Sequence, residues 1–314
     1  MLAYLLRRIA MALPTLLLAA VAVFLLVRQI PGDPAMILLG DAATPEQLAA
    51  LHHELGLDLS LPMQFAVWLG RVLHGDLGFS IVNRLPVLPL VLQRAAVSGI
   101  IVLLAVGIAT IIAVPLGLLA AWRQHSWLDF GVITASTLLL SLPSFWLGLL
   151  ALLFFGLKLG WLPVVGYVAL SDNLRLGTLY LVLPVATLAV VEAGTLLRMS
   201  RSSAIEVLRL EYVMHARAKG ASEARVLFRH VLPNAFAPTL TVIGLILGHL
   251  LGGIAVLETV FTLPGLGRLV VDSIFARDYP VIQGCLLFGA SIYIAINLLV
   301  DLCYPLFDPR VSVE

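Results

Sequence analysis

Six stretches of this chain, roughly 9–30, 96–121, 129–157, 177–198, 237–262 and 283–303, are apolar for long enough to cross a membrane. The hydrocarbon layer is about 30 Å thick and takes about 20 helical residues. Within it every backbone N–H and C=O must be satisfied by the protein itself, and runs of this length are far too long for barrel strands. The sequence therefore predicts an all-α integral membrane protein with six transmembrane helices. Composition agrees: 61% of the 314 residues are hydrophobic and 12% are charged, against roughly 25% charged in a soluble domain. The net charge of +1 says nothing about partners, because here the placement of charge carries the information. Cys285 and Cys303 share the last apolar stretch, and roughly 27 Å of helix between them rules out a mutual disulfide.

Placement of charge sets orientation, since Lys and Arg in short loops favour the cytoplasmic side. With both termini inside, the cytoplasmic segments hold eleven of these residues: Arg7, Arg8, Arg123, the seven from Arg198 to Arg229, and Arg310. The two short outer loops hold four. The chain is read as N-in/C-in, with 1–30 as tail and first span, 31–95 as a periplasmic loop, and 96–314 as a five-span core. The apolar run from Ile9 to Val27 is longer than a signal-peptide core and is expected to be retained. In the 31–95 loop, "TPEQLAALHHEL" predicts a helix over 45–55, with Thr44 as N-cap, Pro45 at the first helical position and Gln47 completing a capping box.

Between the fourth and fifth spans lies "EYVMHARAKGASEARVLFRHVLPNA", residues 211–235, within a loop of about 199–236. No residue from Ser202 to Lys219 breaks a helix. Gly220 permits a reversal through positive φ. Ser222 is placed to cap a second short helix with Glu223 in its first turn. That helix gathers Val226, Leu227, His230 and Val231 on one side and Arg225 and Arg229 on another, and Pro233 is expected to end it. Attraction to anionic lipid would explain the charge. It would not explain a fixed turn, which suits docking into a groove on another protein.

The segment resembles the coupling loop of ATP-binding-cassette importer permeases, whose loose pattern is Glu-Ala-Ala, three residues, Gly, nine residues, Ile-x-Leu-Pro. Ala216, Gly220 and Leu232–Pro233 match; Met214, His215 and His230 depart. The resemblance runs along the whole chain, through "PGDP" at 31–34, "LGLD" at 55–58, "GDLGFS" at 75–80, "LPSFWLG" at 142–148, "LGWLPVVG" at 159–166, "ETVFTLPGLGRL" at 258–269, "RDYPVIQG" at 277–284 and "NLLVDLCYPLFDPR" at 297–310. On these motifs the chain resembles the dipeptide, oligopeptide, nickel and glutathione permeases. The resemblance implies a type I importer permease fold and a companion permease chain of the same family. It also implies two ATPase subunits below, a periplasmic or lipid-anchored substrate-binding protein outside, and no nucleic-acid partner. Glu211, Ala216, Arg217, Ala218, Lys219, Gly220, Arg225, Leu232 and Pro233 are the implied ATPase-coupling residues. ATP and Mg belong to the ATPases; no cofactor or metal is expected on this chain, which has no G-x-x-x-x-G-K-[ST] phosphate loop.

Polar groups within the spans are expensive and are candidates for function. Glu192, Glu258, Asn297, Ser141 and Ser144 are therefore candidate path or gate residues. For each a structural use competes: an ion pair of Glu192 with Arg198, a hydrogen bond from Glu258 that orients 263–282, helix packing for Asn297 and Asp301. His249 reads as a packing histidine. The pair His52–His53 lacks the second histidine of H-E-x-x-H, so a zinc site is rejected. Short peptides are the expected cargo, with nickel, free or chelated, and glutathione as alternatives. A proton-coupled carrier acting alone through Glu192 or Glu258 is the competing class. It fits less well, because such carriers carry internal repeats or more spans.

Overall fold

The computed structural model of the chain describes residues 2–29, 34–39, 43–54 and 56–307. Residues 31–33 of "PGDP" and Arg310 with the surrounding tail lie outside the described residues. The first helix, α1 (Leu2–Arg28), is followed by α2 (Pro34–Leu39), α3 (Pro45–Glu54) and α4 (Leu61–Leu73). The expected capping box forms: the Gln47 amide donates to Thr44 Oγ1 (3.3 Å) and the Thr44 amide to Gln47 Oε1 (3.0 Å). Phe65 and Trp68 of α4 pack around Phe24 of α1 at 5.2 and 5.6 Å, and Arg28 donates to Gln64. The loop is thus tied to the far end of α1. The near end of α1 is held by Arg8, paired with Asp301 at 2.9 Å.

The core is built on two long helices, α5 (Val87–Trp122) and α8 (Leu174–Leu208). Their 36 and 35 residues give ~50 Å of helix each at 1.5 Å per residue, more than the hydrocarbon requires. They meet through small residues: Ala105, Ala109 and Ala113 are fully buried, and a Cβ on Gly117 would lie 2.9 Å from Ser200 Cβ. Without a hydrophobic drive between helices in lipid, such close approach is what holds them. α5 starts at Val87 and not near 96, because Val87, Leu90 and Val91 bury against Leu266, Val281 and Cys285. Gln93 and Arg94 interrupt the apolar run there but not the helix.

The third apolar stretch is not one straight span. α6 (Trp127–Ser141) and α7 (Ser144–Ala151), the latter continuing as a wide π-type turn over Leu152–Lys158, meet at 95°. Proline excludes its predecessor from the helical region, and Leu142 is extended at φ −100°, ψ 127°. The bend is kept by packing, since Gly148 lets the Phe261 ring approach to 3.1 Å of where a Cβ would stand.

Beyond α8 come α9 (Glu211–Ala218), α10 (Glu223–Arg225), a π-type segment Val226–Val231 and α11 (Leu232–Gly253). Two expectations are corrected here. The helix does not run from Ser202 to Lys219: Leu210 is extended (ψ 143°) and restarts it, which lets Val213 bury completely. Pro233 does not end a helix either. Residues Glu223–Gly252 form one continuous 30-residue helix. The wide turn before Pro233 bonds Leu232 N–H to Leu227 O, so the bond a proline cannot make is not missed.

α11 stops at Gly253, short of the expected 262, and α12 (Ala255–Val260), α13 (Leu266–Phe275) and α14 (Tyr279–Phe307) complete the chain. Two family-like motifs meet at the turn before α14. Asp278 of "RDYP", 4% exposed, accepts from Ser80 Oγ of "GDLGFS" and from the Ile81 amide at 3.1 Å.

Candidate coupling site and path residues

Residues 211–235 sit on a buried apolar cluster of Leu118 and Ala121 from α5, Ala204 and Val207 from α8, and Val213, Val226, Leu227, Val231 and Ala235. The expected amphipathic split of the second helix is present: Val226, Leu227 and Val231 are buried, Arg225 and Arg229 exposed. Between the two helices Gly220 takes φ +81°, with no atom within 4 Å of a would-be Cβ. Glu211, Met214, Ala218, Lys219 and Arg225 point outward, Ala216 and Leu232 pack against the cluster, and Pro233 is exposed.

Ser222 caps the second helix only through its backbone; its side chain makes no capping bond. Glu223 is the busier residue. Its carboxylate accepts from Arg217 Nε (3.0 Å) and Nη2 (3.1 Å), and from Trp122 Nε1 at the end of α5 (3.0 Å). Tyr212 Oη donates to the His230 carbonyl at 3.1 Å, and burial pushes its phenol pKa up, so it stays a donor. Nearby, Asp129 of α6 is 3% exposed and accepts from Nε and Nη2 of Arg201 on α8, and from the His125 amide. Trp122, Asp129, Tyr212 and the carboxylate of Glu223 as a partner were not singled out in the sequence. Each acts on a partner from another part of the chain, and only the first turn after Ser126, an N-cap with Asp129 at its third position, was locally legible.

The path candidates do not gather into one cluster. Ser141 is exposed and donates to Thr137 O within its own helix; Ser144 opens α7 just after the bend. Glu192 is half-buried on α8 and, among the described residues, pairs with neither Arg198 nor any other cation. Asn297 donates to Tyr293 O, one turn back on α14, and Asp301 binds Arg8. Glu258 is fully buried. It accepts from Ser98 Oγ of α5 (2.6 Å) and from the Arg268 amide (2.7 Å), while Ser98 in turn accepts from the Leu266 amide (2.8 Å). It thereby stitches the 263–268 turn to α5. His249 is exposed on α11, at a cleft of about 610 Å³ shared with α13 and α14, and is not a buried packing histidine.

Comparison with known proteins agrees with this fold. Residues 113–313 match the family described as the binding-protein-dependent transport system inner membrane component, and residues 1–83 match the N-terminal part of such components. The chain is 44% identical over its full length, and that of the relative, to a putative peptide transport system permease protein of Brucella suis. It is 40% identical, again over both full lengths, to a glutathione transport system permease protein of Salmonella choleraesuis. It is 36% identical to an oligopeptide transport system permease protein of Bacillus subtilis, covering 99% of this chain and 100% of that one. Among solved structures, an inward-facing MetNI methionine ABC transporter chain matches at a TM-score of 0.50 and 16% identity, over 71% of this chain and 95% of that one. That likeness shows the fold.

The fold and the matched segments define an importer permease, a multi-pass protein of the bacterial inner membrane. The chain belongs to the binding-protein-dependent transport system inner membrane component family.

Proposed function

We propose that this chain forms half of the translocation path of an ATP-driven importer of short peptides, with both termini cytoplasmic, and that residues 211–235 dock on an ATPase subunit. The observation that carries the reading is the angled helix pair, turned at Gly220 and seated on a buried cluster, with its outer face left free. Glu211, Met214, Ala218, Lys219 and Arg225 form that free face. Orientation is supported by the eleven-to-four Lys/Arg imbalance and by the Arg8–Asp301 pair, which joins the ends of α1 and α14 nearest the termini. The companion is a second permease chain of the family, with two ATPases beneath, lipid around, and a periplasmic or lipid-anchored binding protein delivering cargo. ATP and Mg are used by the ATPases, because this sequence has no phosphate loop.

Peptide cargo is supported by the names of the Brucella and Bacillus relatives; a glutathione reading is supported by the Salmonella one. Mild solubilisation of the tagged chain from its host, followed by mass spectrometry, tests the assembly. Recovery of a second permease and phosphate-loop ATPases is expected. A monodisperse chain that comes down alone and still binds a solute would sink the reading and return Glu192 and Glu258 as candidates for a lone carrier.

A further inference from the structure

The carboxylate of Glu223 joins groups that the chain otherwise keeps apart. On one side it is held bidentately by Arg217, from the last turn of α9. On the other it takes the indole N–H of Trp122, the last residue of α5 and 101 positions away in sequence. Exposed ion pairs of this kind contribute little to stability, and both partners here are more than a third exposed. Planar guanidinium–carboxylate pairing nonetheless fixes direction. The apolar cluster beneath is held by a non-directional force, whereas the three-way polar link fixes one geometry.

We propose that Glu223 is a positioning residue that transmits motion of the 211–225 hairpin to α5, with Arg217 and Trp122 as its two arms. α5 is the natural recipient. It packs along α8 through Ala105, Ala109, Ala113 and Gly117, and Ser98 on the same helix holds Glu258 and the 263–268 turn. A displacement delivered at Trp122 therefore reaches the opposite end of the molecule through one continuous helix. Arg217, on this assignment, acts inside the chain, while Lys219 and Arg225 stay available to an outside partner.

The inference rests on the coupling reading of residues 211–235, and the test separates the two. The complete transporter is reconstituted in liposomes, and peptide uptake and ATP hydrolysis are measured together for Trp122→Phe, Glu223→Leu, their double variant and Gly220→Leu. Trp122→Phe keeps the ring and removes only the donor. Uptake per ATP hydrolysed is expected to fall about tenfold in each single variant, the size of a typical coupling free energy. The double variant is expected to be no worse than either, as for two ends of one bond. Co-purification of the ATPases should persist throughout. Unchanged uptake per ATP in Trp122→Phe and Glu223→Leu, with Gly220→Leu uncoupled, overturns the link and leaves the coupling loop intact. Loss of ATPase co-purification in the first two also overturns it, by placing Glu223 in docking. If Gly220→Leu too behaves as the parent, the coupling reading itself fails.

Discussion

Glu258 shows how a carboxyl group is housed deep inside an apolar fold. A buried carboxylate is tolerated when its lone pairs are filled by fixed donors, and here Ser98 and the Arg268 amide fill them. Gly265 leaves the room: a Cβ there would stand 2.1 Å from Glu258 Cδ. Glu258→Ala is expected to cost roughly 2–4 kcal/mol by orphaning those donors. Gly265→Ala should destabilise in the same direction by expelling the carboxylate, and the pair together should cost less than the sum of the two. Thermal unfolding of the solubilised protein measures all three. Asp129 is the second such case. Asp129→Ala strands Arg201 in a part-buried site and should cost roughly 3–5 kcal/mol, read as a lower unfolding midpoint, whereas Arg175, exposed in the first turn of α8, can be replaced with little change.

At the scale of elements, two glycines with opposite surroundings separate packing from backbone conformation. Gly117 on α5 faces the α8 backbone, with Arg201 N and Leu197 O each 3.0 Å from a would-be Cβ. Gly117→Ala must push α5 from α8 and is expected to cost about 1–3 kcal/mol. Gly220 faces open space, so Gly220→Ala meets only the left-handed backbone penalty of about 1 kcal/mol. Unfolding midpoints of the two variants should rank in that order, with Gly220→Ala the milder. The same scale shows what the sequence could and could not reveal. The apolar runs were legible because lipid demands them, and Thr44–Gln47 because capping is local. The 95° bend was not read from the sequence, which offered 129–157 as one span; Pro143 keeps Leu142 extended, and the Phe261 ring packs at Gly148 beside the break. The continuous helix through Pro233 was hidden by the wide turn that absorbs the proline, and the break at Leu210 by the absence of any Gly or Pro. The Trp122–Glu223 and Ser98–Glu258 bonds, 101 and 160 residues apart, have no local signal at all.

For the whole molecule, the polar links divide into two tiers. At one end Ser80–Asp278 and Ser98–Glu258 fasten the 76–87 loop and the 263–268 turn to the helix ends. At the other, Asp129–Arg201 ties α6 to α8, and Arg217–Glu223–Trp122 fastens residues 211–225 to α5. Between them the helices meet almost wholly through small and aliphatic side chains. Directional polar links at both ends, with close-packed apolar contacts between, suit helices that move as rigid bodies. Contact of residues 211–235 with the ATPase is tested most directly by a photo-crosslinker. Placed at Met214, 53% exposed on the outer face of α9, it is expected to join this chain to the ATP-hydrolysing subunit in the intact transporter. The same probe at Leu174, 71% exposed at the start of α8 on the opposite side, should give no such adduct. An intact complex in which Met214 yields no ATPase adduct, or in which Leu174 does, would contradict the account.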